Sequence, residues 1–223
     1  LLILGTALVL FGRRSMGFET ARMDYAVMVF ATAALLALAA IWGEVSAFQG
    51  GGLLLLLVAV LYVLMHQGRQ TFTQPLEEST PHSSRVRLAG TTALSLLGLW
   101  LGSVWLVEGA SALAVNFGVP QEVVGLSVVA LGTSLPELAA TFAAYKTRNG
   151  QMILGNVLGS NILNIFAALG LAGLVMPLSL DGIWPSLWVA AVAAVAILPL
   201  FVWSKSPARF MGLLFLAAYM FYI

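Results

Sequence analysis

Gly52-Leu53-Leu54-Leu55-Leu56-Leu57-Val58 carries no polar side chain, and it sits inside a longer apolar block over 48–66. A strand of a transmembrane barrel alternates lipid-facing apolar residues with polar ones. This run alternates nowhere, so it predicts a helix. The block around it is close to the roughly 20 residues that cross a bilayer core of about 30 Å. Composition agrees over the whole chain. Of 223 residues, 61% are apolar without counting 22 glycines, and 9% are charged. Soluble domains average about 45–50% apolar with glycine included, and about 25% charged. Ten Lys and Arg with nine Asp and Glu cannot cover a surface in water. The lack of cysteine and a net charge of +1 exclude a disulfide scaffold and nucleic-acid binding. The chain reads as an all-α polytopic membrane protein whose first partner is the lipid bilayer.

Six or seven such blocks run over 25–42, 48–66, 88–117, 123–145, 152–176, 187–203 and 210–223. Residues 1–11 are equally apolar but only half a span long, and Arg13 and Arg14 follow them. A secretory signal places its basic residues before the apolar run. Residues 1–11 are therefore expected to be the tail of a helix whose beginning is missing from this chain. All ten Lys and Arg fall in the connections 11–24, 67–87, 146–151 and 204–209, whereas the alternate connections carry only Glu44, Glu122 and Asp181. Basic connections stay in the cytoplasm. The expected placement is the cell inner (plasma) membrane, with 67–87 cytoplasmic and the C-terminus outside. Segment 67–87, rich in Thr, Ser, Gln and Pro, reads as a flexible linker, and His66 and His82 read as solvated side chains on or beside it.

Five spans follow that linker and two and a half precede it. Leu4-Gly5-Thr6-Ala7-Leu8-Val9 resembles Leu169-Gly170-Leu171-Ala172-Gly173-Leu174-Val175 with one gap. By the charge pattern the two helices run in opposite directions, which describes an inverted repeat, the architecture of many secondary transporters. The expected organisation is the remainder of a first five-helix repeat over 1–66, a cytoplasmic linker over 67–87 and a second five-helix repeat over 88–223.

Polar residues inside spans mark pathways, and two spans hold most of them. The first reads Ala130-Leu131-Gly132-Thr133-Ser134-Leu135-Pro136-Glu137, with Glu137 at mid-span. Pro136 has no N–H, so the Gly132 carbonyl loses its helical partner and the helix is expected to kink. Thr133 and Ser134 lie four and three residues before Glu137, on its face. A carboxylate, two hydroxyls and a freed carbonyl together suit a hard cation. In the second span Asn156, Ser160 and Asn164 recur every four residues, and Gly155 and Gly159 permit close helix approach. Asn156 and Asn161 suit helix packing and ion binding equally. Glu108, nearer the outer end of its span, is expected to be a hydrogen-bonded structural group.

Gly132-Thr133-Ser134-Leu135-Pro136-Glu137 followed by Gly155-Asn156-x-x-Gly159-Ser160-Asn161-Ile162-x-Asn164 resembles the second α-repeat of the calcium/cation antiporter superfamily, which includes the sodium/calcium exchangers. The surrounding helix pattern is similar to bacterial members over the whole chain. The resemblance implies ten helices in two inverted halves, of which this chain holds an incomplete set of about seven spans plus a partial N-terminal helix. It also implies that the cation ligands are Glu137, the hydroxyls of Thr133 and Ser134, the Ala130 carbonyl, Ser160 and Asn164. The first α-repeat, the partner half that supplies a matching carboxylate, is missing from the chain, and Asn164 stands where some sodium-coupled members carry Asp.

The expected function is secondary active antiport, Ca²⁺ exchanged for Na⁺ or H⁺ by alternating access around Glu137. A non-transporting membrane scaffold or sensor is the alternative, since the chain carries half of a site. An intramembrane hydrolase using Ser134 is disfavoured, because a nucleophilic serine needs a base within reach and neither histidine lies inside a span. The chain is not read as an enzyme. No metabolic cofactor is expected, the transported cations being the substrates.

Overall fold

The computed structural model describes residues 1–13, 16–71, 85–119, 132, 134–147, 149–203 and 207–222. In chain order the elements are α1 (Leu2–Phe11), α2 (Arg22–Trp42), β1 (Glu44–Val45), α3 (Ala47–Thr71), α4 (Arg85–Asn116), α5 (Leu135–Lys146), α6 (Gly150–Leu163), a π-helical segment (Asn164–Ala168), α7 (Leu169–Val175), β2 (Leu178–Ser179), α8 (Trp184–Ala196), α9 (Leu198–Val202) and α10 (Ala208–Tyr222). Among the described residues five stretches are long and apolar enough to cross a membrane: Arg22–Trp42, Ala47–His66, Val86–Asn116, Gly150–Val175 and Trp184–Val202. α1 and α10 are shorter apolar helices. α5 holds only the second half of the block expected over 123–145, whose first half lies mostly outside the described residues.

Helices intrude on both ends of the connection expected over 67–87. α3 continues to Thr71 and α4 begins at Arg85. Gln67, Arg69 and Gln70 are good helix formers, and the first proline comes only at Pro75. Polarity alone does not end a helix. The block over 187–203 is broken at Ile197, where α9 restarts with Pro199 in its first turn. Pro185 opens α8 in the same way. A first-turn N–H has no helical acceptor, so its loss there costs little.

Two close helix contacts organise the bundle. α1 packs on α10 and α3 packs on α7. In the first, a Cβ built on Gly5 would lie 2.9 Å from the Gly212 carbonyl oxygen, and one on Gly212 would lie 2.8 Å from the Gly5 oxygen. In the second, the corresponding distances between Gly50 and Gly170 are 2.6 and 3.1 Å. Gly5 and Gly170 are the residues matched in the internal sequence comparison. Within a bilayer, helix association draws on such packing because lipid tails remove the hydrophobic drive between helices.

The turns are tied as well. β1 pairs antiparallel with β2, Glu44 opposite Ser179 and Val45 opposite Leu178, which fastens the α2–α3 turn to the α7–α8 connection. Tyr25 donates its hydroxyl to the Ala194 carbonyl at 2.8 Å and stacks on Phe201 at 4.3 Å between ring centroids. Arg13 donates Nε to the Leu200 carbonyl at 3.2 Å. The core centres on α1 and α6, where Leu4, Leu8, Ile153, Leu154 and Leu158 are fully buried. α4 is the opposite case, with Trp100 and Trp105 more than half exposed. Among the described residues its main partner is α5.

Candidate functional site

The α5–α6 pair carries the polar residues. At the turn between them the Asn149 N–H bonds the Ala144 carbonyl at 2.8 Å, while Asn149 Oδ1 accepts the Met152 N–H at 3.0 Å and caps α6. A side-chain cap of this kind is worth about 1 kcal/mol. The turn holds α5 and α6 side by side, and Phe11 against Tyr145 fixes the pair to α1 with ring centroids 5.0 Å apart.

Glu137 lies in the first turn of α5, behind Ser134 at the cap position and Pro136 at the start of the helix. The sequence suggested a kink within one helix. Gly132 is helical, Ser134 lies in a turn and α5 starts at Leu135, which puts Pro136 in a first turn, where a proline is accommodated best. That places the Glu137 carboxylate near the positive end of the α5 dipole. The Gly132 carbonyl is not left open, since Ser103 of α4 donates its hydroxyl to it. Beside this bond the Gly132 α-carbon faces Val107, so that a Cβ there would overlap Val107 Cγ2.

Asn156 of α6 donates Nδ2 to the backbone carbonyl of Glu137 at 3.2 Å. The first asparagine of the stripe is therefore a direct tie to the acidic residue. Ser160, one turn further along α6, is half-buried and bonds back to the Val157 carbonyl at 3.2 Å. Asn161 bonds the same carbonyl at 2.7 Å and lines an apolar cavity with Thr32, apart from the stripe. Asn164 is exposed and opens the π-helical segment, where the Leu169 N–H reaches back five residues to its carbonyl. Such one-turn π segments recur at functional sites. Thr133 and Ala130 lie outside the described residues. Glu108 is exposed on α4 and makes no hydrogen bond among the described residues, unlike the structural role expected of it.

Two buried oxygens have no hydrogen-bond partner among the described residues: Glu137 Oε2 and Thr141 Oγ1. A buried polar group without a partner costs about 1–3 kcal/mol, and more when charged. Both belong to α5, and one helical turn separates their residues. An arrangement that leaves a carboxylate oxygen dry and unpaired suits a group satisfied by something it binds. Among the described residues no three of His, Cys, Asp and Glu cluster. Sequence reasoning missed Ser103 and Thr141. Ser103 shows only as a hydroxyl in a glycine-flanked stretch, and Thr141 only as a hydroxyl four residues after Glu137.

Residues 87–223 match the family model described as sodium/calcium exchanger protein. An uncharacterized membrane protein of Methanocaldococcus jannaschii is 33% identical over 172 residues, which is 75% of this chain and 55% of that protein. The sodium/calcium exchanger MaX1 of Methanosarcina acetivorans is 47% identical over 89 residues, 40% of this chain and 25% of that protein. The chain thus spans about half the length, or less, of these curated relatives. A solved structure of the sodium-calcium exchanger NCX_Mj, soaked with Na⁺ and Sr²⁺, superposes with a TM-score of 0.72 at 28% identity, covering 98% of this chain and 72% of that one.

Proposed function

This chain belongs to the sodium/calcium exchanger protein family, and from that premise we propose that it forms the Glu137-bearing part of a cation antiporter that exchanges Ca²⁺ for Na⁺ or H⁺. The observation that carries the reading is the buried, unpartnered Oε2 of Glu137 at the start of α5. A carboxylate so placed gains most from a cation that can replace the water it has lost. The proposed ligands are Glu137, the hydroxyls of Thr133 and Ser134, the Ala130 carbonyl, Ser160 and Asn164. Ca²⁺ takes six to eight oxygens and usually more than one negative charge. A matching half-site with its own carboxylate completes the set in this reading.

An inverted repeat, with parts over 1–66 and 88–223 joined by 67–87, is supported by the paired glycine contacts. Gly5 on Gly212 and Gly170 on Gly50 join equivalent helices in reciprocal fashion. The segregation of Lys and Arg supports a cytoplasmic 67–87 and an external C-terminus in the plasma membrane.

The test is ⁴⁵Ca²⁺ uptake, driven by an outward Na⁺ or H⁺ gradient, into vesicles bearing the protein expressed from its complete reading frame. Glu137→Gln is expected to abolish gradient-driven uptake, and unchanged flux defeats the reading. Wild-type vesicles that take up no cation, from protein whose melting temperature ignores Ca²⁺ and Na⁺, favour a scaffold instead.

A further inference from the structure

Helical threonine hydroxyls in this protein often bond back to their own helix. Thr6 donates to the Leu2 carbonyl at 2.9 Å and Thr32 to Met28 at 3.0 Å, each four residues back, and Thr91 to Leu88 at 2.9 Å, three back. Thr141 departs from this pattern. Its hydroxyl oxygen is buried and has no partner among the described residues.

The cause lies in the acceptor that Thr141 would use. Four residues back is the carbonyl of Glu137. As an interior carbonyl of α5 it already accepts the Thr141 N–H, and its remaining lone pair faces Asn156 Nδ2 at 3.2 Å. Two donors already crowd this oxygen, and the Thr141 hydroxyl makes no bond to it. The bond from α6 thus occupies the acceptor that the Thr141 hydroxyl would use on its own helix. The Thr141 oxygen stands one turn from Glu137 on the same helix face, and the Glu137 carboxylate also has a buried oxygen with no partner among the described residues.

Resting on the cation-antiport reading, we propose that Thr141 is a further ligand of the transported cation, on the Lys146 side of Glu137. A cation between the two residues draws charge from the carboxylate and a neutral oxygen from the hydroxyl, so one bound ion satisfies both unpaired atoms. Hard cations take hydroxyl and carboxylate oxygens together. Asn156 acts as the positioning residue that keeps the Thr141 hydroxyl available.

The experiment compares wild type, Thr141→Val, Thr141→Ser and Glu137→Gln, expressed from the complete reading frame, by ⁴⁵Ca²⁺ uptake over a range of Ca²⁺ concentrations. Melting temperature is measured with and without Ca²⁺. Thr141→Val, which keeps shape and removes the hydroxyl, is expected to raise the half-saturating Ca²⁺ concentration roughly tenfold or more. It is expected to leave the cation-free melting temperature unchanged, and Thr141→Ser to restore the wild-type value. If Glu137→Gln abolishes uptake while Thr141→Val saturates like wild type, Thr141 is not a ligand although the site reading stands. If Glu137→Gln is without effect, the site reading itself fails. Equal impairment by Val and Ser, with a lowered cation-free melting temperature, overturns the proposal in favour of a packing role. Should the valine variant not insert, Thr141→Ala is read by the same criteria.

Discussion

Gly5 and Gly212 meet backbone to backbone, each α-carbon so near the other's carbonyl that an added Cβ would lie 2.9 or 2.8 Å from it. The side chains of Leu216, Leu8 and Val9 close around that point. Gly5→Ala or Gly212→Ala must therefore separate two helix backbones rather than displace a flexible tip. Overpacking of this kind costs about 1–3 kcal/mol. Both variants are expected to lower the melting temperature in detergent. Gly52→Ala, where nothing lies within 4 Å, is the control and is expected to be neutral or slightly stabilising. Equal melting temperatures for all three would remove the close contact from the account.

Ser103 joins α4 to the start of α5 through the Gly132 carbonyl. Ser103→Ala leaves a carbonyl that Pro136 already deprives of its helical donor, and the expected loss is about 1–3 kcal/mol. Gly132→Ala is expected to be worse, because the new methyl would overlap Val107. Adding Val107→Ala should recover much of that loss. Sites in contact are expected to be non-additive in this way. Additive melting shifts in the double variant would mean that Val107 and Gly132 do not touch.

A ligand that binds the folded state alone stabilises it, by about 2.7 kcal/mol at a hundred times its dissociation constant. Ca²⁺ or Na⁺ is therefore expected to raise the melting temperature of the wild type, whereas Glu137→Gln should lose most of the rise. A calorimetric scan with each cation and with choline as control reads the difference directly. An identical rise in both proteins would place the ion elsewhere.

The chain has no cysteine, so single cysteines report sidedness without a background. Thr147→Cys, in the exposed α5–α6 turn, is expected to react with a membrane-impermeant maleimide only from the cytoplasmic face. Asp181→Cys, in the connection before α8, is expected to react only from outside. Labelling of both from one side would invert or abolish the deduced topology.

Much of the site was legible because its signals are local in the chain. Glu137 stood out as a carboxylate in an apolar span, and Asn156, Ser160 and Asn164 as a four-residue period. The consequence of Pro136 was harder to read. A proline inside a helix removes a hydrogen bond, whereas one in a first turn removes none, and Pro136 stands in the first turn of α5. Asn156 was equally ambiguous, since an amide serves as packing glue or as a site group according to what faces it. It faces the Glu137 carbonyl.

Composition and periodicity by themselves determined that this protein is helical, membrane-embedded and polar at two spans, because burying charge in hydrocarbon is costly enough to shape every stretch of the chain. Only the tertiary structure decided which polar atoms are satisfied and which are left waiting. Ser103 reaches a carbonyl 29 residues away, Asn156 one 19 residues away, and the glycines meet across nearly the whole chain. Hydrogen bonding and close packing are settled by geometry between helices, and no pattern along a single helix records it.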